Sequence, residues 1–339
     1  MRQLLVVFIF LSFIGYAQEE EDTIKSSRSQ YVERFDEYLY VKGLLGNRSL
    51  NISLETDDQQ TIQYRPNGNG LIGFGGYAFD LAFELTFRLP QKDDGKKAQT
   101  YGNTDYRDLQ LNIYSNHFGI DFYHQKYKGF YISNADQINA NWKNGDPHPR
   151  RSDLSVRNIN VSGFWLQNGN KFSYKSSFNQ TERQKESAGS FLVGASIGSI
   201  IVEADSAINT IPNNDFSPTV KYSGGKFTTL TFFPGYTHNF VWKELYLNMT
   251  LGAGAGLQWQ KYPFDGKEVR NTQIRGAIRG RAAFGYNGDK IFTGTSVVFQ
   301  NANANTRNVN LNVSSWNFKL FMGYRIPEFG IFKKKILPF

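Results

Sequence analysis

The chain has 339 residues, 32 of them glycine and none cysteine, with 40% hydrophobic and 16% aromatic residues and a formal charge of +8. Without cysteine it cannot be a disulfide-stapled scaffold, and it offers neither thiolate metal ligands nor a cysteine nucleophile. A mean hydropathy of −0.47 beside 29 Phe and 19 Tyr leaves two all-β readings, a secreted sandwich or a transmembrane barrel whose alternate residues face lipid.

Residues 1–17 read as a secretory signal. Arg2 supplies the positive start, Leu4 to Ile14 form an apolar run broken only by Ser12, and Gly15-Tyr16-Ala17 ends on small residues, which places cleavage near Ala17. Residues 18–38, with the acidic run Glu19 to Asp22 and a Ser/Arg segment, read as a solvated periplasmic tail. Residues 39–339 read as one domain, in which nothing approaches the roughly 20 consecutive apolar residues of a membrane-spanning helix.

Ser49 to Glu55 and Gly70 to Tyr77 are the first predicted strands. Next, Phe79, Leu81, Phe83, Leu85, Phe87 and Leu89 take every odd position against Asp80, Ala82, Glu84, Thr86 and Arg88, the dyad of a strand between lipid and a lumen. Tyr106 to Ser115, Phe118 to Tyr131, Ser155 to Asn168, Lys171 to Thr181, Ala188 to Ala204 and Phe227 to Phe240 follow. Leu245 to Gln260 alternates without a break, and Gln273 to Tyr286 carries Arg275, Arg279 and Arg281 on its polar face. Lys290 to Asn301 comes next. The last strand starts at Asn308 and ends with Trp316, Phe318, Leu320, Met322, Tyr324 and Ile326 opposite Asn317, Lys319, Phe321, Gly323 and Arg325. Unbroken alternation beyond the five or so residues of an ordinary soluble strand favours the barrel.

Asn168-Gly169-Asn170 and Asn287-Gly288-Asp289 supply residues suited to tight hairpins, while Gln91 to Asp105, Ser133 to Asp153 and Asp205 to Lys226 read as loops. These segments make thirteen strands, whereas bacterial single-chain barrels use even numbers. The expectation is therefore an antiparallel β-barrel of twelve strands, with fourteen as the alternative and the error placed in Thr181 to Ala204. The alternation slips by one residue near Ser314-Ser315, which reads as a bulge.

Several motifs carry a resemblance. Tyr64-Arg65-Pro66-Asn67, the strand end Tyr127-Lys128-Gly129-Phe130-Tyr131, Arg151-Ser152-Asp153-Leu154, the block from Asn170 to Tyr174 and on through Gln184-Lys185-Glu186-Ser187-Ala188-Gly189-Ser190-Phe191-Leu192, and Gly285-Tyr286-Asn287-Gly288-Asp289 together resemble an outer-membrane barrel family of Bacteroidetes known only as a domain of unknown function (DUF4421-like). The similarity runs from about residue 40 to 325. Where the family has Arg-Pro-Asp-Leu this chain has Arg-Ser-Asp-Leu. The resemblance implies the bacterial outer membrane and supplies no catalytic residue.

Barrel enzymes that act on lipid place a Ser/His/acid set at the lipid-facing rim, so the four histidines are the residues to inspect. His117 falls in a predicted turn, His238 near a strand end, His124 on the lipid-facing register and His148 in the loop Asp146 to Arg151. None belongs to a nucleophile motif, and His124 or His148 would be the base of any enzyme. His117 and His124 have no third ligand nearby, so no metal site is expected and no cofactor is implied. The run from Gly252 to Gly256 lacks the spacing of a nucleotide loop and reads as small lumenal residues.

The polar faces carry Asp80, Glu84, Arg88, Asp108, Lys175, Arg275, Arg279, Arg281, Lys319 and Arg325. One reading is an internal ion-pair network filling a narrow barrel, since charges away from water must be paired. The other is a polarised lumen with arginines on one wall and carboxylates on the other, favouring an anionic solute. Expected partners are outer-membrane lipid and lipopolysaccharide, with Arg150-Arg151 and Lys333 to Lys335 as candidate headgroup contacts, and the barrel-assembly machinery during insertion; no nucleic acid is implied. The functional expectation is a non-enzymatic narrow channel or an envelope-assembly component, the alternative being an enzyme acting on phospholipid or lipopolysaccharide acyl chains.

Overall fold

A computed structural model describes residues 28–56, 61–68, 70–78, 81–89, 95–210, 221–264, 266–307 and 309–333. The strands are β1 (Val32–Arg34), β2 (Tyr38–Thr56), β3 (Thr61–Arg65), β4 (Leu71–Ala78), β5 (Leu81–Arg88), β6 (Asp105–Tyr114), β7 (Phe118–Ile132), β8 (Arg150–Leu166), β9 (Glu182–Gln184), β10 (Ala188–Glu203), β11 (Gly224–Trp242), β12 (Leu245–Phe264), β13 (Lys267–Asn287), β14 (Ile291–Asn305) and β15 (Val309–Pro327). Three short helices lie between them, α1 (Lys96–Tyr101), α2 (Ala135–Ile138) and α3 (Lys175–Phe178). No helix among the described residues is long and apolar enough to cross a membrane.

The chain forms a transmembrane antiparallel β-barrel. A hydrogen-bonded ring of ten strands runs β2, β3, β7, β8 and then β10 to β15 in order, and β15 returns to pair with β2 along its whole length. Outside that ring, β4 and β5 are joined to β2, and β6 to β7. With β3 and β4 as two parts of one descending segment, the wall is crossed twelve times among the described residues, as the parity argument requires.

Side chains alternate across this wall. Val41, Leu45, Phe74, Leu111, Leu251 and Met322 point out and are exposed, which forms the apolar belt that lipid demands. Phe191, Tyr236, His238, Phe240 and Trp242 make a contiguous outward aromatic patch where β10 and β11 meet the short turns, as an interfacial girdle does.

Three sequence expectations need correction. Lys171 to Thr181 is not a strand, and Asn168-Gly169-Asn170 does not close a tight hairpin between strands. Residues 167–187 turn back into the barrel mouth, which removes the thirteenth crossing; the miscount lies mainly before the suspected Thr181 to Ala204 stretch, where β9 is followed by the single strand β10. Ser314-Ser315 holds no bulge, because β15 keeps unbroken register with both β14 and β2. What changes there is the chemistry of the inner face: Val309, Leu311 and Val313 point inward into an apolar core, and Asn317 and Lys319 continue the same face. The one register shift between β7 and β8 falls at Lys128/Phe130 instead, where Gly129 has φ 87°. Finally, the end of the predicted tail is structured. β1 pairs with β9, and Arg28 is buried; residues 18–27 lie outside the described residues.

Candidate functional site

The lumen is divided into levels. At the end bearing the long loops, inward residues from nine strands of the wall, among them Ile52, Tyr64, Tyr127, Leu154, Phe227 and Leu311, pack into one buried apolar core. Ile208 and Tyr222 from the 204–223 connection complete it, and the Tyr64 hydroxyl donates to the Ile208 carbonyl at 2.7 Å. Burial of so many apolar side chains, each worth about 1.5–3 kcal/mol, makes this end a packed lid.

The opposite end is stopped by residues 167–187. Phe172 and Tyr174 enter the barrel and pack on Tyr114, Phe164, Leu192 and Phe233. Glu182, buried at 2% exposure, pairs with Arg28 at 2.7 Å and Lys175 at 2.9 Å and accepts from the Ser173 hydroxyl. Burial pushes the Glu182 carboxyl up, but Lys175, Arg28 and the Ser173 hydroxyl outweigh it, so it titrates below the usual glutamate range. Arg325 bonds to the Gly288 and Gln180 carbonyls and to Asn287 Oδ1, and its guanidinium stacks on Phe35 at 3.7 Å.

Between the two closures lies a charged chamber. Glu84 on β5 sits between Lys42 (2.7 Å) and Lys319 (2.8 Å). The wall is tight there, since a Cβ on Gly75 would come within 2.7 Å of the Phe83 carbonyl oxygen on β5. Asp108 accepts from Gln125 at 2.8 Å and Tyr127 at 3.1 Å, with Arg48 at 3.5 Å. Arg281 on β13 pairs through both terminal nitrogens with Asp121 on β7 and donates to the Tyr114 hydroxyl at 2.7 Å. Arg279 has a different environment, with Ser196 Oγ at 2.6 Å and the Phe233 ring at 4.6 Å. Arg275 makes no ion pair among the described residues, and its Nε is buried without a hydrogen bond. Arg275 and Arg279 border a cavity of about 70 Å³ lined by polar groups such as Asn158, Asn160 and Gln258 and by apolar ones such as Ile200, Phe227 and Val313; its polar side offers partners for a few ordered waters.

The remaining charges fall elsewhere. Arg88 donates to the Thr104 carbonyl at 3.2 Å and lies over the Tyr106 ring. Lys175 is on α3 rather than a strand, and Asp80 lies outside the described residues. Alternation in Phe118 to Tyr131 could have found Asp121, which shares the polar register. Lys42 and Arg48 were missed because β2 begins at Tyr38 and not at Ser49. Arg28 and Glu182 had no periodic signal.

The motif residues converge on two places. Near the loops, Tyr127 bonds Asp108, the Gly129 carbonyl accepts from Thr104, Tyr131 packs on Tyr101 and His148, and Arg151 pairs with Asp153. In the plug, Gln184 donates to the Lys171 and Glu186 carbonyls and accepts from Ser173 N. Lys185 reaches the Ser29 carbonyl, Ser187 accepts from Val241 N, and Asn168 bonds both the Gly189 carbonyl and Ser190 Oγ. Asn287 donates to the Ser176 and Glu182 carbonyls, while the Gly288 carbonyl and Asp289 take Arg325 and Arg183.

Neither favoured histidine is hydrogen-bonded to a carboxylate or hydroxyl among the described residues. His148 Nδ1 donates to the Ile132 carbonyl (2.8 Å), and the ring stacks among Tyr101, Tyr131 and Trp142. His124 points outward from β7, opposite Leu109 and Ile159. His117 lies 3.1 Å from the Leu166 carbonyl. Arg151 is buried on Asp153 and the Ser206 and Ala207 carbonyls, so it is not a free headgroup contact, and Arg150 donates to the Gln99 carbonyl at the end of α1. Lys334 and Lys335 lie outside the described residues. No group of three metal-ligating side chains occurs among the described residues.

A family model described as a domain of unknown function (DUF4421) matches residues 20–326. No curated protein matches the sequence. Among solved structures, the outer membrane protease OmpT from Escherichia coli aligns with TM-score 0.37 at 7% identity, over 87% of this chain and 98% of that one. The translocator domain of autotransporter NalP from Neisseria meningitidis aligns with TM-score 0.31 at 8% identity, over 95% and 100%. The P. putida toluene transporter TodX aligns with TM-score 0.28 at 7% identity, over 87% and 91%.

Proposed function

We propose that this chain, which belongs to the family of the domain of unknown function DUF4421, serves in the bacterial outer membrane as a non-enzymatic structural and interaction component whose lumen is closed at both ends. The observation that carries this reading is the double closure, an apolar core at the loop end and the 167–187 segment at the other. A standing channel needs a continuous aqueous path, and both closures interrupt one. The outward apolar belt and aromatic girdle support the membrane location. Outer-membrane lipid and lipopolysaccharide are then its surroundings, and the barrel-assembly machinery its route of insertion.

An enzyme acting on acyl chains would need a base within reach of a nucleophile or a water. His148 is spent on a carbonyl and an aromatic cage, which counts against it. The test is to fold the purified protein into phospholipid vesicles containing lipopolysaccharide and an entrapped dye. The reading expects unchanged acyl-chain masses and dye retention equal to that of protein-free vesicles. New acyl products that disappear with His124→Ala or His148→Ala would overturn it, and so would steady dye release.

A further inference from the structure

The wall has a seam. Among the described residues β5 pairs only with β4 and β6 only with β7, so no backbone ladder joins the facing edges of β5 and β6, and on β6 the Asp108 carbonyl is taken instead by Arg48. The ring closes past them through two residue pairs near the long loops, Tyr64 with Ile132 and Arg65 with Tyr131. Unpaired backbone groups in hydrocarbon cost several kcal/mol each, so an edge pair at this position has to be bridged or filled. Arg88 bridges its loop end through the Thr104 carbonyl and the Tyr106 ring.

Toward the plug the seam widens into a cavity of about 370 Å³. Its lining includes outward residues of both strands, Phe83 and Leu85 on β5 with Leu111 and Ile113 on β6, and also inward ones such as Glu84 and Tyr114. A cavity lined from both faces of two neighbouring strands passes through the wall. Ala82 agrees, since it is on the inward register of β5 and yet exposed. The chemistry changes along the passage. The rim is apolar, while the inner lining carries Lys42 and Lys319 against the single carboxylate of Glu84, with Arg281 already matched by Asp121.

We propose that the β5–β6 seam is a lateral portal that admits an anionic phospholipid from the bilayer, its acyl chains against the apolar rim and its phosphate directed to Lys42 and Lys319. Excess positive charge in a low-dielectric recess selects the anion, and the rim selects the chain. The portal is independent of whether the lumen conducts.

The absence of cysteine makes Ala82→Cys a unique thiol. It would be probed with a phospholipid bearing a maleimide on its headgroup, in phosphatidylcholine vesicles, with Ala283→Cys as the comparison, an inward and buried position away from the seam. Labelling at position 82 is expected to exceed that at 283 by tenfold or more. Added phosphatidylglycerol should slow it several-fold, and Lys319→Gln should remove that protection. Three results would overturn the proposal: equal rates at the two positions, equally fast labelling of position 82 by a soluble maleimide without acyl chains, or no protection by phosphatidylglycerol. Full labelling of both variants after unfolding shows that the thiols themselves are intact.

Discussion

Arg281 on β13 and Asp121 on β7 meet across the lumen, each buried and each using both of its polar ends on the other. At this level of the lumen a basic side chain and an acidic one from distant strands are in direct contact. The pair ties opposite sides of the cylinder together, with Tyr114 bonded to both partners.

Removing one partner of such a pair strands the other charge. Asp121→Ala is expected to lower stability by about 3–5 kcal/mol, read as a lower temperature for loss of the compact form on unboiled gels. Asp121→Ala with Arg281→Ala should cost less than the two single effects added together. Additive losses would show that the two residues act separately.

Glu182 makes the plug pH-sensitive. Its folded carboxyl titrates below the usual glutamate range, so its contribution is fully present above the unfolded value near 4.3 and is lost as pH falls through the folded one. The protection of the 171–186 amides against hydrogen exchange, relative to their intrinsic rates at each pH, should therefore be high at neutral pH and fall in acid below the ordinary glutamate range. Glu182→Gln should show low protection at both, and an acid-insensitive protection in the wild type would contradict this.

Gly129 sits at φ 87°, and a Cβ there would come within 2.3 Å of the Asn103 carbonyl. Gly129→Ala is expected to cost roughly 1–3 kcal/mol by straining the register shift beside Lys128 and Phe130. The check is urea unfolding from vesicles, where an unchanged midpoint would show that the loop end adapts freely.

Strict alternation made the wall legible in the sequence. It placed Glu84, Asp108, Arg279, Arg281 and Lys319 on inner faces because a period of two is visible wherever lipid demands one apolar face. It failed where the solvent changed. Above the bilayer Leu50, Ile52 and Leu54 point inward to a core, so the apolar face swaps sides and the early part of β2 was lost. At Ser314 the same swap imitates a bulge. The plug was read as a strand because Phe172 and Tyr174 alternate with polar neighbours, although they face the interior of a mouth. The contacts of Arg28 with Glu182 and of Arg325 with Asn287 are long-range, and no local pattern encodes them.

Single-channel recording in planar bilayers tests the closure at both ends most directly, with insertion verified by heat-modifiable mobility of the same sample. The inserted wild-type protein is predicted to show no conductance steps, because the apolar core and the plug each interrupt the path. Stable ohmic steps from the inserted wild type would contradict the account.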